Sequence, residues 1–178
     1  MYFEPYGPFD LRPTLENENR SWRADFWSEV ESYCEGLSGA NGIYIFSLKF
    51  GSKFTPWYVG KTCSEKGFKQ EVFQDHKISH YYDASGERRG RQYLHLIARV
   101  EVSKMNFSKY NDLAARQIDD LESYLIGMAL VRNPKLRNIS KTRFLRSLNI
   151  AGVIGPRYEE RPREDSRTLK NVLGLQLD

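Results

Sequence analysis

Two short stretches rich in β-branched and aromatic residues constrain the fold of this chain more than any other feature. Residues 42–46 read Gly-Ile-Tyr-Ile-Phe, and residues 57–62 read Trp-Tyr-Val-Gly-Lys-Thr. Such runs, separated by turn-forming residues, predict an antiparallel β-hairpin. Because strand side chains alternate between faces, we expect Tyr44 and Tyr58 to lie near each other, beside Gly60, which leaves room for a ligand.

The size and composition of the chain predict one compact domain with appendages. Its 178 residues suffice to bury a sizeable apolar core. No run approaches the roughly 18 apolar residues of a membrane-spanning helix, and the first residues lack the basic-then-apolar order of a signal peptide. The two cysteines, Cys34 and Cys63, cannot build a disulfide framework. We therefore expect a cytoplasmic protein with no membrane partner.

Charge is distributed unevenly along the chain. The formal net charge is +4. Residues 1–40 carry three arginines against eight acidic residues, a net charge of −5, so the remainder carries +9. A basic body of this kind suits a phosphate backbone as partner, because Lys and Arg release condensed counterions on binding. Solubility alone is an equally good reason for such a charge.

The sequence divides into an acidic N-terminal arm and helix (residues 1–40), a core (residues 41–150) and a basic C-terminal tail (residues 151–178). The arm proper, residues 1–20, is rich in Pro, Asn and Glu, which predicts irregular structure. Residues 22–37 place aromatic and apolar residues at helical spacing and predict a helix that packs on the sheet. We expect the polar, arginine-rich tail to be loosely packed.

The first helix after the hairpin is predicted at residues 66–80, and the hairpin loop before it at residues 47–56. One face of this helix carries Lys69, Val72, Phe73, His76 and His80. A further loop is predicted at residues 81–90, which are rich in turn-forming residues. That loop and the residue after it carry a basic cluster suited to nucleic acid, Arg88, Arg89 and Arg91.

A strand and a long helix complete the predicted core. Residues 93–103 alternate in polarity and predict a half-buried strand. Residues 112–132 predict a helix with Asn111 as its N-cap and a stop at Asn133. Its expected buried stripe is Ala114, Ile118, Leu121, Leu125, Met128 and Ala129. Glu122 lies at the margin of that stripe, where a carboxylate has to pair, accept hydrogen bonds or hold a metal.

The order of these features resembles the GIY-YIG nuclease superfamily. Its two strand motifs stand here as Gly42-Ile43-Tyr44 and Tyr58-Val59-Gly60. The segment around Glu122 is similar to the family's glutamate-bearing helix, and the segment around Asn138 is similar to its later asparagine motif. The resemblance covers residues 42–139. It implies an α/β (α+β) fold with a small three-stranded antiparallel sheet flanked by helices.

The resemblance also implies an activity and roles for individual residues. The activity is that of an endonuclease hydrolysing phosphodiester bonds of DNA, with RNA left open. Tyr44 would be the general base and Tyr58 would orient the water or the phosphate, while Asn138 would complete the site. Glu122 would hold one Mg²⁺ or Mn²⁺ ion; a single carboxylate suits Mg²⁺, which keeps several waters. A tyrosine, with an ordinary pKa of about 10, needs neighbouring cations to act as a base near neutral pH.

The sequence departs from the family pattern on the first core helix. The family carries an arginine there that offsets charge on the phosphate, whereas Val72 stands at that position and no arginine occurs in residues 61–80. We expect Lys69 to replace it, with Lys61, which should also contact nucleic acid, as second choice and the basic cluster as third. Lysine supplies charge but not the bidentate fork of arginine. His76 is expected to contact the phosphate or assist the base.

Other interpretations of the same residues stay open. The missing arginine favours a nuclease-like module that binds nucleic acid or a protein partner without cutting. The two tyrosines are also compatible with a structural role in a buried hairpin. A P-loop is disfavoured because Thr55 stands where its first glycine belongs, and zinc at Cys63, His76 and His80 would lack a fourth ligand. Since no separate recognition domain is evident, specificity would come from loops, the tail, a partner subunit or a homo-oligomer.

Overall fold

The computed structural model of the chain describes residues 2–11, 22–87, 90–101, 103, 106–147, 150, 152–153 and 164–175. In chain order its elements are β1 (Tyr2–Asp10), α1 (Trp22–Tyr33), β2 (Gly42–Phe50), β3 (Lys53–Thr62), α2 (Gly67–Glu71), α3 (Asp75–Glu87), β4 (Arg91–Glu101), β5 (Asn106–Phe107), α4 (Asp112–Arg132), α5 (Thr142–Ser147) and α6 (Glu164–Val172). A 3-10 turn, Leu37–Gly39, lies between α1 and β2. The chain divides into two compact units, Met1–Asn138 and Ile139–Asp178.

The five strands form one antiparallel sheet in which β1, β4, β2 and β3 are neighbours in that order and β5 pairs with β4. The α+β class is confirmed, and the sheet has five strands where three were expected. The prediction of irregular structure in residues 1–20 is wrong for Tyr2–Asp10, which form β1; residues 12–20 lie outside the described ranges. Pro5 and Pro8 favoured a loop, but an outer strand tolerates residues without an amide hydrogen.

The hairpin of β2 and β3 is longer than the sequence suggests. The strands pair along their whole length, so the expected loop at residues 47–56 shrinks to a turn at Gly51 and Ser52. Gly51 has a φ of 58°, a left-handed conformation that glycine adopts at little cost. Pro56, which suggested the loop, lies in β3 at a shift of register, and a bulge in an outer strand accommodates it.

The face of the sheet that carries Tyr44 and Tyr58, called here the tyrosine face, supports the larger apolar core. Its buried strand residues include Tyr44, Phe46, Leu94 and Leu96. The helical segments contribute Phe26, Trp27 and Val30 from α1 and Phe68, Val72 and Phe73 from α2 and the residues after it. The ring of Phe73 lies within 5.6 Å of the rings of Trp22, Phe26 and Trp27. The prediction that α1 packs on the sheet is therefore confirmed.

The predicted first core helix, residues 66–80, is two helices. It breaks between α2 and α3 at Val72, Phe73 and Gln74, where the first two side chains are buried in the core. Helix α3 then continues through residues 81–87, which were expected to form a loop. Burial of consecutive residues at the break favours a change of direction over a straight helix with one apolar face. The break changes which side chains face the tyrosines.

The predicted ends of α4 are confirmed. Asn111 is its N-cap, with the side-chain oxygen accepting a hydrogen bond of 2.8 Å from the amide of Ala114, and Asn133 is its C-cap. The helix packs against β3 and β2. Among the helices of the described ranges, none combines the length and the apolar composition that a membrane crossing needs.

The buried side of α4 is rotated relative to the expected stripe. Ala114, Ile118, Ile126 and Ala129 are buried, whereas Leu121 and Leu125 are half-buried and Met128 is exposed. Glu122 lies four residues from both Ile118 and Ile126, so it projects from the middle of the packed side of α4 and not from its margin. In the second compact unit, residues 164–172 of the expected tail form the helix α6, and none of these nine residues is buried.

Candidate functional site

The tyrosine pair of the hairpin is assembled as the sequence predicts. Tyr44 is paired with Gly60 across the two strands, and the ring centroids of Tyr44 and Tyr58 are 6.2 Å apart. A Cβ atom on Gly60 would lie 2.3 Å from Cζ of Tyr44, so this glycine makes room for the tyrosine ring itself. The expectation that Gly60 leaves room for a ligand is therefore wrong. Tyr44 has no exposed surface, while 9 % of Tyr58 is exposed.

A lysine that the sequence analysis did not single out contacts this pair. Lys77, in the first turns of α3, donates a hydrogen bond of 2.8 Å from Nζ to the hydroxyl oxygen of Tyr58. The same Nζ lies 5.2 Å from the ring centroid of Tyr58 and 6.0 Å from that of Tyr44. Glu71 balances part of its charge at 3.6 Å. A cation thus lies at both tyrosines, with only 13 % of its side chain exposed.

Of the other basic residues predicted on this helical segment, His80 also lies at the tyrosine pair, whereas His76 and Lys69 are exposed. His80 stacks on Tyr58, with ring centroids 5.1 Å apart and an interplanar angle of 18°. His76 is exposed, and its carbonyl oxygen accepts a hydrogen bond from Ser79. Lys69 is exposed on α2 beside Glu31. Burial by itself would raise the pKa of Glu31. The pKa is nevertheless lowered, chiefly by hydrogen bonds from Gly36 and Ser38 and to a smaller extent by the charge of Lys69.

Two carboxylates of α4 share one cation. The ammonium group of Lys61 is hydrogen-bonded to Asp119 and lies 3.6 Å from Oε2 of Glu122. The Glu122 side chain is 12 % exposed, whereas that of Asp119 is 46 % exposed. Strand alternation puts Lys61, the neighbour of Gly60, on the face opposite the tyrosines, where α4 packs. The contacts of Glu122 with Lys61 therefore lie on the far side of β3 from Lys77.

Asn138 is held against β3 by a pair of buried hydrogen bonds. Its side-chain oxygen accepts from the amide of Val59 at 2.9 Å, and its side-chain nitrogen donates to the carbonyl oxygen of Val59 at 2.7 Å. The amide of Arg137 donates to the carbonyl oxygen of Trp57, and the side chain of Asn133 donates to that of Pro56. This segment thus binds the outer side of β3 up to Val59, immediately before Gly60 and Lys61.

The basic cluster is only partly described. Arg88 and Arg89 lie outside the described residues, while Arg91 is exposed at the start of β4. Arg91 is the strand partner of Lys49 on β2. These two cations belong to the end of the sheet near the Gly51 turn.

The side chains of α4 suit a hard divalent cation. Among the described residues, no group of three or more His, Cys, Asp or Glu could hold a metal ion. Asp119 and Glu122 nevertheless bring two carboxylates to one ammonium group, which marks a place where positive charge is stabilised. Carboxylate oxygens completed by waters are what Mg²⁺ prefers. The donor set therefore fits such an ion, provided that the Lys61 side chain moves aside.

Comparison of the chain with protein-family models, with curated proteins and with solved structures finds no match.

Proposed function

We propose that the chain is a metal-dependent endonuclease of the GIY-YIG type, which hydrolyses phosphodiester bonds of DNA. The observation that supports this most is the position of Lys77. It is a cation on the helical segment after the hairpin, hydrogen-bonded to Tyr58 and close to both tyrosine rings. That is the charge which the family's arginine would supply, and it comes from a residue five positions beyond Val72, which stands at the arginine position of the family pattern.

The geometry suggests how the tyrosines and the lysine act. Because Lys77 donates to the oxygen of Tyr58, the hydroxyl hydrogen of Tyr58 is left for a further acceptor, such as a phosphate oxygen or the attacking water. Lys77 would offset the negative charge that develops on phosphorus-bound oxygens. Tyr44, the general base by resemblance, has no exposed surface. Of the pair, Tyr58 is therefore the group that meets the substrate directly, and Tyr44 reaches water only after a local opening.

Glu122, with Asp119 beside it, would hold the Mg²⁺ ion. When bound, such an ion neutralises charge on the phosphate and on the leaving oxygen. β3 is an outer strand, so groups on both of its faces border the same edge of the sheet. A phosphodiester at Gly60 and Lys61 would thus meet the carboxylates from one side and Tyr58 with Lys77 from the other.

The test is Mg²⁺-dependent nicking of supercoiled plasmid DNA by the intact chain. We expect Glu122→Ala to abolish nicking while the thermal unfolding curve stays cooperative. Glu65→Ala, which removes an exposed carboxylate outside the site, is the matched control and should nick like the unmodified chain. Full activity of Glu122→Ala would refute the metal assignment.

A second candidate is a nuclease-like module that binds nucleic acid without cutting it. The observation in its favour is the ion pair of Lys61 with Asp119 and Glu122, in which the lysine already offsets part of the negative charge that would bind a metal ion. Such a module would bind DNA with strong salt dependence and show no turnover at any pH. Measuring binding and nicking on the same preparation separates the two candidates.

A further inference from the structure

The face of the sheet opposite the tyrosines has a cleft near the hairpin turn. Its volume is about 380 Å³, and its lining includes Pro5, Ser47, Phe54, Pro56 and His95. Ligand pockets in proteins measure about 300–1,000 Å³, so this cleft holds one small ligand or one unit of a polymer. The nuclease proposal uses none of these residues.

One polar pair lies among the apolar walls of the cleft. Oγ of Ser47 and Nε2 of His95 are 2.8 Å apart, across the neighbouring strands β2 and β4. Burial lowers the pKa of His95, so its imidazole is neutral at physiological pH. A hydroxyl and a neutral imidazole together offer both donors and acceptors. They suit a ligand whose edge carries both kinds of group.

An aromatic ring lies next to this polar pair, and a second ring lies beyond it. The ring of Phe54 is 5.5 Å from that of His95 and 5.4 Å from that of Tyr93, in both cases edge to face. Pro5 and Pro56 add flat, rigid apolar walls. Rings and prolines of this kind bind planar ligands by stacking, whichever planar group is presented.

The charge beside the cleft is positive. Nζ of Lys49 lies 5.1 Å from the ring centroid of Phe54 and 5.8 Å from that of Tyr93. Arg91 is the strand partner of Lys49, and Lys53 begins the adjacent strand. The described residues that line the cleft include no Asp or Glu. Cations next to stacking surfaces are the combination with which proteins hold single-stranded nucleic acids.

We propose that this cleft binds an unpaired base of a single-stranded nucleic acid, with Ser47 and His95 contacting the base edge and Lys49 and Arg91 contacting the flanking phosphates. A duplex keeps its bases stacked inside and cannot fill the cleft. The proposal concerns binding alone and does not depend on the cleavage proposed above.

The test measures fluorescence anisotropy of a labelled short oligothymidylate with the intact chain in EDTA, which prevents metal-dependent cleavage. We expect the oligothymidylate to bind more tightly than a duplex of the same length. Phe54→Leu should weaken binding about tenfold, since loss of one stacking surface typically has an effect of that order. Lys49→Gln should weaken binding and reduce the salt dependence by the equivalent of about one phosphate contact.

Lys109→Gln is the control, because it removes the same charge from an exposed lysine outside the cleft lining. It should bind like the unmodified chain. The proposal would be overturned if the chain bound single strand and duplex equally, or bound neither. It would also be overturned if Phe54→Leu left the affinity unchanged and the two lysine variants had equal effects. If Phe54→Leu does not fold, Lys49→Gln against Lys109→Gln decides alone. A chain that binds the oligothymidylate and never nicks DNA refutes only the nuclease proposal.

Discussion

The contact between Gly60 and Tyr44 makes a quantitative prediction about the hairpin. In Gly60→Ala the new Cβ atom would lie 2.3 Å from Cζ, 2.4 Å from the hydroxyl oxygen and 2.6 Å from Cε2 of Tyr44. Non-bonded carbon atoms prefer about 3.5–4.0 Å, so the ring has to move by more than about 1 Å. Because Tyr44 has no exposed surface, that movement displaces core neighbours. Overpacking of this kind costs about 1–3 kcal/mol, and we expect the upper half of that range.

Urea unfolding and thermal melting provide the assay. A loss of about 2–3 kcal/mol corresponds to a fall in Tm of about 4–12 °C for a chain of this size. Tyr44→Leu removes the ring tip, so Gly60→Ala should cost less than about 1 kcal/mol in that background and the two changes should be strongly coupled. Gly39→Ala is the control, since its Cβ would meet no atom within 4 Å. If Gly60→Ala costs the same whether residue 44 is Tyr or Leu, the close approach described here is wrong.

Three further predictions concern the neighbouring groups. Asn138→Ala should lower the free energy of unfolding by about 2–4 kcal/mol, because it leaves the buried amide and carbonyl of Val59 without their partner; an unchanged urea midpoint would contradict this. Lys77→Met should slow plasmid nicking about 10²–10³-fold while Lys77→Arg keeps most activity, and equal rates for both variants would rule out a role for the charge. Burial lowers the pKa of His95 below its ordinary value of 6.5, so the unfolded chain takes up a proton first as pH falls. Stability should therefore fall as the pH drops through about 6.5, and fall less in His95→Gln, as followed by Tm.

The features that the sequence predicted correctly depend on local chemistry. Asn111 and Asn133 mark the two ends of α4, because side-chain capping and the proline that follows Asn133 act within a few residues. Tyr44 and Tyr58 share a face because alternation along a strand is a local property. These two local rules sufficed to place the tyrosine pair and the helix that carries Glu122.

The features that could not be predicted from the sequence depend on tertiary packing. Lys77 faces Tyr58 only because the helix breaks at Val72 and Phe73, which are buried against α1. A helical wheel of residues 66–80 carries no information about α1 and so could not predict this break. The pairing of β1 with β4 joins residues about 90 positions apart, and the prolines of β1 favour a loop over a strand. The rotation of α4 toward Glu122 likewise depends on its packing against β3 and β2, which the sequence does not show.

The two margins of the sheet have a consequence for assembly. At one margin Pro5 and Pro8 leave β1 with missing amide hydrogens, and at the other the amide of Asn138 occupies both backbone groups of Val59. A strand from a second molecule would lack hydrogen-bond partners at these positions, and such interruptions of a sheet edge oppose edge-to-edge aggregation. If the protein forms a homodimer, its subunits should therefore join through side chains, and a β-sheet continuous across the dimer is not expected.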